Sequence, residues 1–137
     1  MVDDVVLNKA ATIERGVKRA REEYDKGRDT FANDFTRQDA AILNIQRACE
    51  AALDIGQHLV RKHKLGLPQA SRDVFTLLDG AGFIPATLAA SLKKMVGFHN
   101  IAVHEYQTLQ LPITIAVIEQ HLRDFLEFTR ILLQREA

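Results

Sequence analysis

The sequence predicts an all-α fold, an antiparallel four-helix bundle with an additional short helix. Apolar residues recur at spacings of three and four along most of the chain, which is the period of an amphipathic helix. No segment shows strict alternation or a hairpin turn, so strands are not expected. The chain has 137 residues, 47% of them hydrophobic and 26% charged, which suits one domain over residues 1–137 with a buried core.

The charge balance limits the kinds of partner that the chain is expected to bind. Lys and Arg total 18 and Asp and Glu total 18, so the formal net charge is zero. This balance argues against a broad nucleic-acid-binding face, leaves room for a local basic cleft, and weakens repulsion between copies. The N-terminus lacks the pattern of a signal peptide, and no apolar stretch approaches the about 18 residues of a membrane span. We therefore expect a cytoplasmic protein.

The first helix is predicted from about Asp3 to Tyr24. Acidic residues at its start favour it, because the N-terminal end of a helix carries partial positive charge. Its expected inner stripe consists of Val6, Ala10, Ile13, Val17 and Ala20. Gly27 ends this helix and leads into a connection in which Phe31 and Phe35 are expected to plug the end of the bundle.

The second helix is predicted to start at Thr36 as its cap, with Asp39 three residues on, and to extend to about His63. Its inner stripe consists of Ile42, Ile45, Cys49, Ala52, Leu53, Gly56 and Leu59. We interpret Cys49, the only cysteine, as a small core residue rather than a nucleophile. His58 and His63 are interpreted as part of a basic helix end, and a supporting contact with phosphate stays open.

A short third helix is predicted from Arg72 to Leu78. Ser71 is its expected cap, because a serine hydroxyl can accept a hydrogen bond from an unpaired amide at the helix start. A glycine-containing turn follows and ends this helix. Beyond the turn, Phe83 and Ile84 are expected to pack as a plug before the fourth helix.

The fourth helix is predicted to start near Pro85, since proline suits the first turn of a helix. Its stripe consists of Leu88, Leu92, Met95, Val96 and either Phe98 or His99. Leu111 and Pro112 are expected to force a break, after which the last helix runs from Ile113 to about Gln134. The residues expected to face inward from it are Ile115, Ile118, Leu122, Phe125, Leu126, Thr129 and Leu132.

The segment from Gly97 to Tyr106 concentrates the side chains that can carry chemistry. His104 can transfer protons near neutral pH, and Asn100 lies four residues earlier, on the same face of a helix. His99 is about 140° from His104 around an ideal helix axis. The two imidazoles can therefore meet one ligand only if the helix unwinds or a second copy of the chain supplies one of them. From the residues alone, the simpler interpretation is that His104 and Tyr106 cap a helix end.

The run GFHNIAVHEYQTL at residues 97–109 resembles the signature of HepT-type proteins of the HEPN superfamily. That signature has an arginine, a polar residue that is usually asparagine, three further residues, a histidine, any residue and a tyrosine. Asn100, His104 and Tyr106 match it at the expected spacing. The number of helices, the chain length and the proline at the start of the last helix extend the resemblance over essentially the whole chain. His99 occupies the position of the family's arginine.

The resemblance implies an HEPN-like bundle that acts as the toxin of a type VII-like toxin–antitoxin pair. It implies a homodimeric, metal-independent endoribonuclease that cuts RNA, whether tRNA or mRNA, and needs no cofactor. In the cleft between two copies, His104 would be the general acid and base and Asn100 an orienting residue. The implied partner is an MNT-type nucleotidyltransferase antitoxin, which would use ATP to transfer AMP to Tyr106. The added phosphate charge would repel RNA.

His99 departs from the pattern at a position that matters for catalysis. A neutral imidazole cannot replace a guanidinium, which is always charged and offers a planar fork of donors. A charged His104 nearby would also oppose protonation of His99. One interpretation is a weakened or inactive chain, natural or engineered, and this is the one we favour. The other is that the two histidines together keep acid–base cleavage.

Two other functions compete with the ribonuclease. A non-catalytic helical dimer that binds a nucleotidyltransferase or a nucleotide is favoured by the zero net charge and the missing arginine. A metal-binding bundle would need Glu-x-x-His pairs on facing helices, and only Glu119 with His121 comes near, at the wrong spacing. We interpret Glu105 as a solvated side chain rather than a catalytic one. The dimer interface is expected on the fourth helix and the loop after it.

Overall fold

The computed structural model describes residues 3–106 and 109–136, and within these residues the regular structure is helical. The elements are α1 (Asp4–Asp25), a 3-10 turn (Phe31–Asn33), α2 (Phe35–Lys62), α3 (Asp73–Gly80), α4 (Ala86–His104), α5 (Leu111–Ala116), a π-helical turn (Val117–His121) and α6 (Leu122–Arg135). The predicted bundle of four longer helices and a short one is confirmed, with α5, the π-helical turn and α6 forming the fourth long helix. Among the described helices, none is long and apolar enough to cross a membrane.

Helix α1 begins and packs as its sequence predicts. The Asp3 carboxylate caps it by accepting hydrogen bonds from the backbone N–H groups of Val5 at 2.9 Å and Val6 at 3.3 Å. The predicted inner stripe is entirely buried. Gly16 lies where α1 approaches α2 closely, because a Cβ atom there would come within 2.7 Å of the Asn44 carbonyl oxygen. A side chain at this position would push the two helices apart.

The start of α2 differs from the prediction in two ways. The cap is Asp34 rather than Thr36, since the Asp34 carboxylate accepts a hydrogen bond from the backbone N–H three residues on, at 3.1 Å. Phe31 is fully buried and packs edge to face on Tyr24, with ring centroids 5.1 Å apart. Phe35, however, is 73% exposed, so the prediction that it closes the end of the bundle is wrong. Helix α2 already begins at Phe35, and the first turn of the helix points this ring away from the core.

Helix α2 is the central element, because it packs against α1, α3, α4 and α6. Its predicted stripe is buried, and the interpretation of Cys49 as a core residue is confirmed. The Cys49 thiol lies 3.8 Å from the Met95 carbonyl oxygen of α4, and burial raises the pKa of this thiol to about 12. Gly56 allows α3 to pack closely, since a Cβ atom there would lie 2.1 Å from Val74.

Helix α3 has a different cap from the one predicted. Ser71 does not cap it, and the residue at the cap position makes no side-chain hydrogen bond to the helix. Instead, the Asp73 carboxylate accepts from two backbone N–H groups of the preceding loop, at 2.9 and 3.0 Å. The first amides of the helix need no side-chain cap, because the N–H groups of Val74 and Phe75 donate to backbone carbonyls three residues back, at 3.2 and 3.1 Å. The prediction for Phe83 and Ile84 is confirmed, as both are buried.

The last helical stretch starts earlier than predicted and contains a π-helical turn. Pro112 lies in the first turn of α5 instead of preceding the helix. The Leu122 backbone N–H donates to the carbonyl of Val117, five residues back, which is the bond pattern of a π-helix. The Tyr24 hydroxyl of α1 donates to the Glu119 carboxylate of this turn at 2.5 Å. The 3.6-residue period of apolar residues in the sequence does not predict such a turn.

The inward face of this stretch is close to the prediction. Five of the seven predicted residues are buried, whereas Ile115 and Leu126 are only partly so. Phe128 was not predicted to face inward, but it is fully buried. It packs edge to face on Phe75 of α3, with ring centroids 5.7 Å apart. This contact joins α6 to the short helix α3.

Residues near both chain ends are tied to the end of α2 by a network of charges. Asp3 contacts His58 Nε2 at 2.7 Å and Lys62 Nζ at 2.8 Å. Glu136 contacts Lys62 at 3.2 Å and His63 Nε2 at 3.1 Å. The interpretation of a basic helix end is therefore confirmed. A phosphate contact by these two histidines gains no support, because carboxylates already lie against their ring nitrogens.

We expect Asp3→Ala to lower the free energy of unfolding by about 1–3 kcal/mol at neutral pH, through loss of the helix cap and of charged hydrogen bonds. Lys62 and His58 hold the pKa of the Asp3 carboxyl well below its ordinary value of 3.8. The stabilisation is therefore fully present above that value and is lost as the pH falls below it. Urea unfolding of both proteins at neutral and acidic pH measures this difference. Asp4→Ala is the control, and equal losses in the two variants would contradict the prediction.

Candidate active site at the end of helix α4

Helix α4 remains helical until His104, so it does not unwind where the two histidines would need it to. The backbone N–H of Glu105 still donates to the Ile101 carbonyl at 2.8 Å, and the chain then leaves the helical conformation. Asn100 and His104 are both exposed, and their four-residue spacing places them on one face of α4. The His99 side chain is only 12% exposed and lies on another face. On this intact helix the five-residue spacing therefore leaves the two imidazoles about 140° apart around the axis.

His99 is packed towards α2 in an environment that keeps it neutral. Its Nε2 atom lies 4.0 Å from a carboxylate oxygen of Glu50. Its Nδ1 atom is buried and has no hydrogen-bond partner among residues 3–106 and 109–136. Burial lowers the pKa of His99 below 6.5; Glu50 opposes this shift and His104 adds to it. At neutral pH the imidazole therefore carries little of the charge that an arginine would provide.

Tyr106 follows the end of α4 and reaches back to the beginning of α2. Its side chain is 44% exposed, and its hydroxyl donates a hydrogen bond to the Asp39 carboxylate. Burial and the Asp39 carboxylate together raise the pKa of Tyr106 to about 12, so the hydroxyl stays protonated at neutral pH. The interpretation that Tyr106 caps the end of α4 is therefore wrong, because its hydroxyl donates to Asp39 of α2.

Sequence reasoning missed two residues that contact the site. Asp39 had a predicted role only at the start of α2, and Glu50 had none. Asp39 and Tyr106 are 67 positions apart, so no local spacing links them. From the sequence alone, an acidic residue at an exposed helix position is interpreted as a solvated side chain. Its contact with the site becomes visible only when the packing of α2 against α4 is known.

Two cavities flank the end of α4. A small one of about 80 Å³ lies beside the tyrosine and is lined by Gln38, Ile42, Tyr106, Leu109, Leu111 and Thr114. A larger apolar groove of about 630 Å³ runs between α4 and the α5 stretch, and Phe98, Ile101 and Ile113 are among its lining residues. His99, Asn100 and His104 do not line this groove. Its walls suit an apolar surface better than a nucleic acid.

The bundle, with an Asn-x-x-x-His-x-Tyr motif at the end of α4, defines a protein of the HEPN class. The family model described as "Ribonuclease HepT-like" matches residues 13–132. The chain is 49% identical over 131 residues to the mRNA nuclease HepT of Shewanella oneidensis, covering 96% of this chain and 98% of that protein. The chain belongs to the HepT-like ribonuclease family.

Solved structures agree with this assignment. A tri-AMPylated HEPN toxin of Shewanella oneidensis in complex with an MNT antitoxin is similar at a TM-score of 0.90 and 49% identity, covering 95% of this chain and 97% of that one. A toxin–antitoxin complex with AMP-PNP is similar at a TM-score of 0.89 and 48% identity, covering 95% and 98%. The resemblance seen in the motif thus extends through the whole fold.

Proposed function

We propose that this protein is the toxin of a toxin–antitoxin pair, a metal-independent endoribonuclease that an MNT-type nucleotidyltransferase silences by transferring AMP to Tyr106. The observation that carries the proposal is the exposed end of α4, where Asn100 and His104 share one face and the Tyr106 hydroxyl lies just beyond. The relatives support it, since one is named an mRNA nuclease and another is an AMPylated toxin bound to its antitoxin.

The proposed cleavage needs proton transfer and no cofactor. His104 takes the proton of a ribose 2′-hydroxyl, whose oxygen attacks the adjacent phosphorus atom. The bond from phosphorus to the 5′-oxygen breaks, and that oxygen leaves with a proton donated by a protonated His104 imidazole in the cleft, so a cyclic phosphate and a 5′-hydroxyl are formed. Asn100 lies on the same face and can orient the RNA through its amide group. An exposed histidine suits this task because RNA must reach it.

A second copy of the chain completes the proposed cleft. His99 and His104 lie on different faces of α4, so a ligand that contacts both needs a partner copy. Ile101 and Ile113 are large apolar side chains that line the apolar groove and remain exposed, and Val103 of α4 is exposed as well. If the same surface of another copy covered these side chains, apolar area would be buried. Because the net charge is zero, electrostatic repulsion between the two copies would be weak. We therefore propose that the homodimer interface lies on α4 and the start of α5.

AMP transfer to Tyr106 would control the site by charge. Each added nucleotide carries a phosphate, and this negative charge would stand next to the face that holds His104. RNA is itself a polyanion, so its entry would become unfavourable. ATP serves here as the partner's substrate and is not a cofactor of this chain.

The regulatory half of the proposal is tested by intact-mass measurement after incubation with ATP and the nucleotidyltransferase encoded beside this chain. The transferase is a candidate partner, chosen as a nucleotidyltransferase encoded beside this chain. We expect the protein to gain AMP and Tyr106→Phe to gain none. The chain has two tyrosines, so Tyr24→Phe is the matched control and should still be modified. Tyr24 is buried, packs on Phe31 and is bonded to Glu119 of the π-helical turn. The proposal fails if the parent chain gains no AMP from a demonstrably active transferase, or if Tyr106→Phe is modified equally well.

The neutral His99 gives a specific reason to keep a second candidate function. A chain without the arginine charge at this position binds phosphate weakly, and it could serve as a non-catalytic dimer that binds the nucleotidyltransferase or a nucleotide. The two functions differ in RNA cleavage, because only the first includes it.

A further inference from the structure

Asp39 lies against the hydroxyl to which the proposed function assigns AMP. It occupies an exposed position in the second turn of α2, and its carboxylate accepts the hydrogen bond from Tyr106. It does not cap α2, since Asp34 performs that task. In the described part of the chain no cationic side chain forms an ion pair with it. Among the residues that the structure describes, the hydrogen bond from Tyr106 is therefore the one polar side-chain contact of Asp39.

A phenol that attacks phosphorus must lose its proton during the reaction. The Tyr106 hydroxyl is protonated at neutral pH, because burial and the Asp39 carboxylate raise its pKa to about 12. The free phenolate is consequently too rare to serve as the nucleophile by itself. An activated hydroxyl needs a base within hydrogen-bond distance, and the Asp39 carboxylate already holds that position.

We propose that Asp39 is the proton acceptor for AMP transfer to Tyr106, an inference that rests on the proposed function. The Tyr106 oxygen forms a bond to the α-phosphorus of a nucleoside triphosphate carried by the transferase. The bond between that phosphorus and the oxygen leading to the β-phosphate breaks, and pyrophosphate leaves. The phenolic proton moves to the Asp39 carboxylate along the existing hydrogen bond. The toxin chain itself would thereby supply part of the chemistry that silences it.

The test is the rate of AMP transfer to Asp39→Asn in the full chain, followed by intact mass at saturating transferase and ATP. Asparagine keeps the size and an acceptor oxygen but cannot take the proton. We expect the rate to fall by about 10²–10⁴-fold, the usual contribution of a general base. Asp54→Asn is the matched control, because Asp54 is an exposed aspartate of the same helix, paired with Lys9 at 3.0 Å. It should react at the parent rate.

The pH profile separates a base from a residue that only holds the tyrosine in place. The variant must use phenolate, whose fraction rises about tenfold per pH unit below the phenol pKa. The ratio of parent rate to Asp39→Asn rate should therefore shrink by the same factor as the pH rises. A residue that merely positions Tyr106 would give a ratio that does not depend on pH. A constant ratio overturns the inference.

The remaining outcomes distinguish this inference from the proposed function. If the parent chain gains AMP, Tyr106→Phe does not, and Asp39→Asn reacts at the parent rate, the role of Asp39 is overturned and the proposed function stands. If the substitution changes only the transferase concentration needed for half-maximal rate, Asp39 contributes to docking and the inference is overturned as well. If the parent chain gains no AMP from an active transferase, the proposed function and the role of Asp39 are both overturned.

Discussion

Replacing His104 with alanine is expected to lower RNA cleavage by about 10²–10⁴-fold, the usual contribution of a positioned acid–base group. His104 is exposed at the end of α4 and shares a face with Asn100, so it is the imidazole that RNA can reach. His99 cannot take over its task, because it is mostly buried and lies on another face of the helix. Cleavage of a labelled RNA in the presence of a metal chelator measures the loss.

The experiment needs a background in which cleavage is measurable. We would therefore compare His104→Ala with its parent both in the chain as it stands and in the His99→Arg chain. His63→Gln is a matched control, because His63 is an exposed histidine at the opposite end of α2 from Asp39 and contacts Glu136 at 3.1 Å. It should leave cleavage unchanged. Full activity of the His104→Ala chain in the His99→Arg background would remove His104 from the mechanism.

His99→Arg is expected to raise RNA cleavage by about 10²–10³-fold, which is the typical effect of one group that stabilises charge in a transition state. The parent imidazole is neutral because burial lowers its pKa, whereas a guanidinium stays charged and offers paired donors to phosphate. Glu50 lies opposite this position and would hold the longer side chain by a charged hydrogen bond. Rates on one RNA substrate, measured side by side, give the ratio.

A lysine at the same position separates charge from geometry. His99→Lys supplies the positive charge without the planar fork of donors, so it should restore less activity than His99→Arg. Equal, measurable rates for the parent chain and His99→Arg would favour the interpretation in which two histidines keep the cleavage. Absence of cleavage in both, with AMP transfer to Tyr106 intact, would favour the non-catalytic dimer.

Most of the helical architecture could be predicted because it depends on short-range repeats. The stripe of α1 and that of α2 are buried as predicted, since residues three and four apart share one face of any helix. Helix caps were harder to predict, because several polar residues compete at each end and the winner depends on the local backbone. Asp34 caps α2 in place of Thr36, and Phe35 is consequently exposed. The π-helical turn at Val117–His121 has no sequence period of its own.

By itself, the sequence determined the class of fold, the spacing of Asn100, His104 and Tyr106, and the break in the family pattern at His99. These features depend only on which residues stand within one helix turn or two of each other. The tertiary structure alone decided that Tyr106 donates to Asp39 and that His99 is buried opposite Glu50. The first contact joins α2 to the residue just beyond α4, and the second joins α2 to α4 itself. Both therefore exist only once the apolar stripes of those helices have docked in one register. The state of each candidate site residue is therefore a property of helix packing.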